Sequence, residues 1–130
     1  MKTVVDSCGW LEYFSDGPNA TAFAEAIEHS ARLIVPAITV YEVFKRVYAQ
    51  RGEQAALQAV ALMGQGHVVS FDESLACMAA KVSVDEKMPM ADSIVLATAR
   101  RFNAIVYTQD DDLEGKDDVR YIEHHAKGKR

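Results

Sequence analysis

The chain carries only two cysteines, three prolines and one tryptophan in 130 residues. Cys8 and Cys77 form neither a disulfide framework nor a CxxC pair. Together with His29, His67 and the His124-His125 pair they lack zinc-ligand spacing, so no zinc site is expected. No apolar run approaches the ~20 residues of a membrane span. Asp6 and Glu12 interrupt the N-terminal apolar stretch where a signal peptide would need its core. The simplest expectation is a soluble cytoplasmic protein with reduced thiols and no membrane contact. Basic charge is also scarce, with 14 Lys and Arg against 19 Asp and Glu and a net charge of −5. That excludes a general nucleic-acid coat, which would be basic. It leaves room for an enzyme that handles nucleic acid through metal ions. Repeats, linkers and low-complexity blocks are absent too.

What is present is 49% hydrophobic content, enough for one domain over residues 1–130 that hides roughly two-thirds of its unfolded surface. A basic tail from about 124 to 130 is expected to fray. Strand and helix signals alternate along the chain. Apolar β-rich runs at 2–5, 33–35, 67–71, 104–108 and 119–122 read as five strands. Trp10 to Phe14 suggests a helical turn. Asn19 could cap a helix striped by Phe23, Ile27 and Ala31, and Pro36 cuts off the second strand. Residues 38–50, 53–63, 72–85 and 91–102 read as further helices, and Asp110–Asp118 as a polar turn. Short apolar strands with intervening helices predict a parallel sheet covered on both faces, an open three-layer α/β/α sandwich. A closed eightfold barrel needs roughly 200 residues or more and is excluded. The consecutive helices at 41–63 cannot both return the chain to the third strand, so the pair is expected to project and offer a surface to a partner.

In an open parallel sheet, sites form at the carboxyl ends of the strands. Asp6 follows the first strand and Asp110 the fourth, and Glu42 lies early in the helix after the second. Only Asn103 separates the helix carrying Asp92 from the fourth strand, so the two run antiparallel. The helix spans about 18 Å at ~1.5 Å per residue, which returns Asp92 to the same edge. Each acid has a plain alternative. Asp6 could end a strand in a side-chain turn to Cys8. Glu42 has Lys45 and Arg46 within one turn. Asp92 could cap its helix. Asp111 reads as a solvated turn residue. Their joint fall on one edge favours a site, provided the first and fourth strands are neighbours. Four converging carboxylates repel one another, and a hard divalent cation, Mg²⁺ or Mn²⁺, is the natural counter-charge.

The stretch Val4-Val5-Asp6-Ser7-Cys8-Gly9-Trp10-Leu11 resembles the opening motif of PIN-domain ribonucleases. Thr39-Val40-Tyr41-Glu42-Val43, Ala91-Asp92-Ser93-Ile94 and Thr108-Gln109-Asp110-Asp111-Asp112-Leu113 resemble the second, third and fourth motifs, in order and over the whole chain. Size and first motif resemble the VapC toxins of VapBC toxin–antitoxin pairs. The resemblance implies sheet order 3-2-1-4-5, Mg²⁺- or Mn²⁺-dependent cleavage of RNA, homodimerisation and inhibition by a VapB-type antitoxin. It makes Asp6, Glu42, Asp92 and Asp110 the acidic catalytic and metal-binding residues, with Asp112 a further acid of some members and Ser7 and Thr108 as hydroxyl supports. Leu113 stands where Phe is usual, which touches packing. Cys8 is expected to pack rather than react, and the histidines to be surface residues. Lys45, Arg46, Arg100 and Arg101 are weighed as phosphate contacts against a solvated helix face. Two rivals are a PIN-fold module that binds RNA or a partner without cleaving, and a phospho-accepting receiver-like domain. The latter normally needs paired acids after its first strand and a lysine after its last, neither of which stands here.

Overall fold

The structure, a computed structural model, describes residues 1–124, so the expected tail lies outside the described residues apart from His124. Five short parallel strands form one sheet: β1 (Thr3–Val5), β2 (Leu33–Pro36), β3 (His67–Val69), β4 (Ile105–Thr108) and β5 (Val119–Tyr121). Their order is β3-β2-β1-β4-β5, so β1 and β4 are neighbours, in register at Val5↔Tyr107. The helices are α1 (Ser7–Phe14), α2 (Ala20–Ile27), α3 (Ala37–Arg51), α4 (Glu53–Met63), α5 (Glu73–Glu86) and α6 (Met90–Arg101).

The period-two alternation of the strands sorts the core into two layers. Val4, Ile34 and Val106 face α5 and α6, where Leu75, Ala79, Val95, Leu96 and Ala99 close the packing. Val5, Leu33, Val35 and Tyr107 face the other way, onto Trp10, Phe23, Ile27 and the inner residues of α3 and α4. Both faces of the central strands are buried, which is why they read as continuous apolar runs.

Several boundaries differ from expectation for identifiable reasons. The first helical stretch is a full helix beginning at Ser7, because the Asp6 side chain caps it at the Cys8 amide. β3 stops at Val69 because Asp72 caps α5 at the Leu75 amide. Pro36 is the last residue of β2 and also the cap position of α3, where a missing N–H costs nothing. The polar turn after β4 contains a 3-10 turn, Asp111–Leu113, that drops Leu113 fully into the core. The helix pair α3–α4 does not simply project. Val43, Val47, Ala56, Ala59 and Met63 join the core, while Tyr41, Tyr48 and Leu57 stay exposed on the outer side.

Two backbone positions fix the site elements. Gly9 lets α1 approach closely, since a Cβ there would lie 2.6 Å from the Phe23 ring and 2.7 Å from Val5. Asn103 adopts a left-handed φ of 58°, which ends α6 and turns the chain straight into β4. That reversal makes α6 antiparallel to β4 and brings its first turn to the carboxyl edge.

Candidate metal centre at the carboxyl edge

Asp6 leaves β1 as the cap of α1 and is 4% exposed. Its Oδ1 accepts the Cys8 amide at 3.0 Å and the Cys8 thiol at 2.7 Å. Its Oδ2 accepts the Thr108 hydroxyl at 2.8 Å from the end of the neighbouring strand. Burial pushes the Asp6 carboxyl above its ordinary range; the Cys8 and Thr108 donors pull it back, and the Asp110 charge adds to the rise. The Cys8 thiol is in turn held protonated by burial and by the Asp6 charge. Cys8 therefore does more than pack: it is a donor to the buried carboxylate.

Thr108 ties two acids together, because its Oγ1 also accepts the Asp110 amide at 2.9 Å. The Asp110 side chain caps the following 3-10 turn at the Asp112 amide. Asp92 sits in the first turn of α6, with Pro89 in the cap position. Its carboxyl is pushed up to about 8, first by burial, then by the charge of Asp110 and a hydrogen bond shared with it, then by Asp6 and Asp112. Carboxylate oxygens of Asp6, Asp92 and Asp110 all lie within 4.8 Å of one another. No described lysine or arginine forms an ion pair with any of the three. An all-oxygen, partly buried donor set with no resident cation fits a hard divalent ion.

The other expected residues take different places. Glu42 lies outside that tight group but feels it. Burial raises its carboxyl, the Ser7 hydroxyl and Lys45 lower it, and Asp6 and Asp110 raise it. The alternative Glu42–Arg46 pair is not among the described ion pairs; Glu42, Ser7, Lys45 and Arg46 instead line one cavity. Thr108 donates to Asp6 and accepts from the Asp110 amide, while Ser7 lies beside Glu42 in that cavity. Asp112 is exposed and reaches the cluster through its charge on Asp92. Asp111 is not an idle turn residue, since it accepts the Tyr121 hydroxyl at 2.5 Å. Arg100 and Arg101 lie at the far end of α6. Arg100 is paired with Glu86 and Asp118, and Arg101 with Asp72, so neither faces the acids. His29 and His67 are exposed, whereas His124 is half-buried and lines a cavity next to the site; His125 lies outside the described residues.

Residues 3–119 match the PIN domain family model. The chain belongs to the PIN domain family. Its fold is similar to solved structures of toxin–antitoxin proteins. A toxin–antitoxin complex from Klebsiella pneumoniae shares 22% identity at a TM-score of 0.80, over 95% of this chain and 100% of that one. VapBC-1 from nontypeable Haemophilus influenzae shares 17% identity at a TM-score of 0.70, over 95% and 98%. VapC20 of Mycobacterium tuberculosis, a sarcin–ricin loop cleaving toxin, shares 16% identity at a TM-score of 0.69, again over 95% and 98%. No curated protein matches significantly. Sheet order 3-2-1-4-5 agrees with the expectation for this family. Among the described residues no helix is long and apolar enough to cross a membrane.

Proposed function

We propose that this PIN domain is a divalent-metal-dependent endoribonuclease that acts as the toxin of a type II toxin–antitoxin pair. The observation that carries the reading is the convergence of Asp6, Asp92 and Asp110 within 4.8 Å, from three distant stretches and with no lysine or arginine ion-paired to them among the described residues. Asp6, Asp92 and Asp110 would hold Mg²⁺ or Mn²⁺, with Glu42 as a further ligand or as the residue that orients the attacking water. A bound ion supplies Lewis-acid stabilisation of the phosphate and a water of lowered pKa. The chain's own work is positional. Thr108 and Cys8 fix both oxygens of Asp6, and Thr108 also fixes the Asp110 backbone. Asp92, whose carboxyl is pushed up by burial and by the Asp110 charge, would meet in such an ion the counter-charge that the cluster lacks.

The partner half of the reading rests on the outer side of α3 and α4. Val40, Tyr41, Phe44, Tyr48, Leu57 and Val60 line an open apolar hollow of about 660 Å³. Such a patch marks a contact surface, for a second copy of the chain or for a VapB-type antitoxin. The solved toxin–antitoxin complexes of the same fold support this reading.

The test is cleavage of cellular RNA by purified protein. Activity should vanish in excess EDTA and return with Mn²⁺ or Mg²⁺. Undiminished cleavage in EDTA would remove the metal assignment, and absence of cleavage with either ion would leave a non-catalytic PIN-fold binding module.

A further inference from the structure

A second cavity, of about 440 Å³, opens beside the acid cluster between α1, α3 and the end of β4. Its lining includes Ser7 and Gln109, the sequence neighbours of Asp6 and Asp110, and Cys8, which donates to Asp6. Ser7, Leu11 and Arg46 also line the cavity that contains Glu42, so the two hollows are neighbours. Its apolar lining is Leu11, Phe14 and Val47, with Phe14 held by stacking on buried Trp10 at 5.7 Å. One wall is rigid. The Gln109 amide oxygen accepts from Asn19 at 2.8 Å, and Asn19 donates as well to the Glu123 carbonyl at 2.8 Å. The charged lining is the Glu12 carboxylate, which accepts the Asn19 amide at 2.7 Å and the Gln109 side-chain amide at 3.4 Å, and Arg46 and Arg51, both exposed and both without an ion pair among the described residues.

That distribution of charge is informative. A chain of net charge −5 with clustered carboxylates repels RNA, so any phosphate near the acids needs local cations. Arg100 and Arg101 are committed elsewhere. Arg46 and Arg51 stand about 6 Å and about 13 Å along α3 from Glu42, at ~1.5 Å per residue. Single-stranded RNA is recognised by splayed bases resting on aromatic and apolar side chains, with cations on the backbone. A cavity of this size lies in the range that takes up small ligands. We propose that it is a nucleotide subsite of the substrate: one unpaired base rests on Leu11, Phe14 and Val47, and Arg46 and Arg51 hold the adjoining phosphates. This rests on the ribonuclease reading above and adds where the strand runs.

The experiment is fluorescence anisotropy of a short, end-labelled, mixed-sequence single-stranded RNA in EDTA, titrated with salt. The doubly substituted Arg46→Ala, Arg51→Ala protein is compared with wild type and with Lys81→Ala, an equally exposed lysine on α5. The double variant should bind roughly tenfold more weakly, and its salt slope should fall by about 1.4, at ~0.7 per released phosphate contact. Lys81→Ala should stay within about twofold. An RNA with abasic spacers should bind wild type at least about fivefold more weakly, the low end of a stacking contact. In metal-supported cleavage the double variant should raise KM with little change in kcat. Wild-type affinity and slope in the double variant, while wild type still cleaves, would overturn the subsite and leave the nuclease reading standing. So would an equal loss in Lys81→Ala, equal binding of abasic RNA, or a loss confined to binding of an antitoxin encoded next to the gene. Wild type that neither binds nor cleaves RNA with Mn²⁺ would overturn both readings.

Discussion

The substitution Asp92→Asn isolates the charge that the acid cluster must neutralise. In the folded protein the Asp92 carboxyl is pushed from 3.8 up to about 8, chiefly by burial and by Asp110. A dry site would convert that displacement into about 5–6 kcal/mol at ~1.4 kcal/mol per pH unit. Asp92 is only half-buried, and solvent screening reduces the figure to about 2 kcal/mol. The sign follows from linkage. The folded state keeps its proton longer than the unfolded chain, so metal-free stability falls as pH rises from about 4 to about 8. Asparagine cannot ionise and escapes that loss. Without metal, Asp92→Asn should match wild type near pH 4 and exceed it by about 2 kcal/mol above pH 8, or about 8 °C in Tm at ~4 °C per kcal/mol for this size. Mn²⁺ should reverse the order. At a hundredfold excess over its Kd the ion stabilises wild type by ~2.7 kcal/mol and the variant far less. Cleavage should fall by at least ~100-fold, ~2.7 kcal/mol of transition-state stabilisation. Differential scanning fluorimetry across pH with and without Mn²⁺, beside an RNA cleavage assay, reads all of this. Identical melting at every pH and metal concentration, or wild-type cleavage by the variant, would refute the metal centre.

Cys8→Ser keeps a donor to Asp6 and should retain Mn²⁺ affinity by calorimetry within about threefold, whereas Cys8→Val should lose about tenfold, the ordinary cost of removing a hydrogen bond that orients a ligand; equal affinities would show the thiol to be mere filling. Gly9→Ala should destabilise by about 1–3 kcal/mol in urea unfolding, because its new methyl meets Phe23 and Val5; an unchanged midpoint would mean α1 can retreat without cost. Arg100 and Lys116 hold the Glu86 carboxyl down, from 4.5 to about 2. The stability this network contributes is present above about pH 4.5 and lost as pH falls toward about 2. Glu86→Gln should therefore cost about 1 kcal/mol at pH 7, the scale of a partly exposed network, and only a small fraction of that at pH 2. A cost that persists undiminished at pH 2 would assign Glu86 a packing role instead.

The parallel sheet and its helices were legible because both layers bury the central strands. Val4 and Val5 must each find a core, on opposite sides, and only a sheet covered on both faces provides two. The register of β1 beside β4 was not legible from periodicity. It depends on long-range packing and entered only through the family motifs, before the strand order bore it out. Local boundaries failed where a side chain competes with the backbone. Asp6, Asp72 and Asp110 each cap the turn or helix that follows them, a role that an Asp shares with ordinary turn residues in any sequence. Leu113 looked like part of a polar loop because three aspartates precede it, yet one 3-10 turn is enough to bury it.

The acids were found by asking which edge of the sheet each must reach, an argument that depends on chain direction and length rather than on side-chain detail. Asp92 shows why it worked. Once Asn103 forces the reversal between α6 and β4, the first turn of α6 has nowhere to go but the carboxyl edge. The supporting residues are a different matter. Cys8 lies two residues from Asp6, a spacing that also suits an inert packing thiol, and only the 2.7 Å approach of Sγ to Oδ1 distinguishes the two. Arg46 was read against Glu42 because i, i+4 pairing is the default on a helix. The helix instead presents Glu42 to the acids and leaves Arg46 on the shared rim of two cavities. Arg100 and Arg101 face the opposite outcome. They are as basic as Arg46, but sit about 12 Å and about 13 Å down α6 from Asp92, at ~1.5 Å per residue, where Glu86, Asp118 and Asp72 take them up. Charge alone therefore could not tell a substrate contact from a structural tie. The partners could: Glu86, Asp118 and Asp72 neutralise Arg100 and Arg101, whereas Arg46 and Arg51 form no ion pair among the described residues.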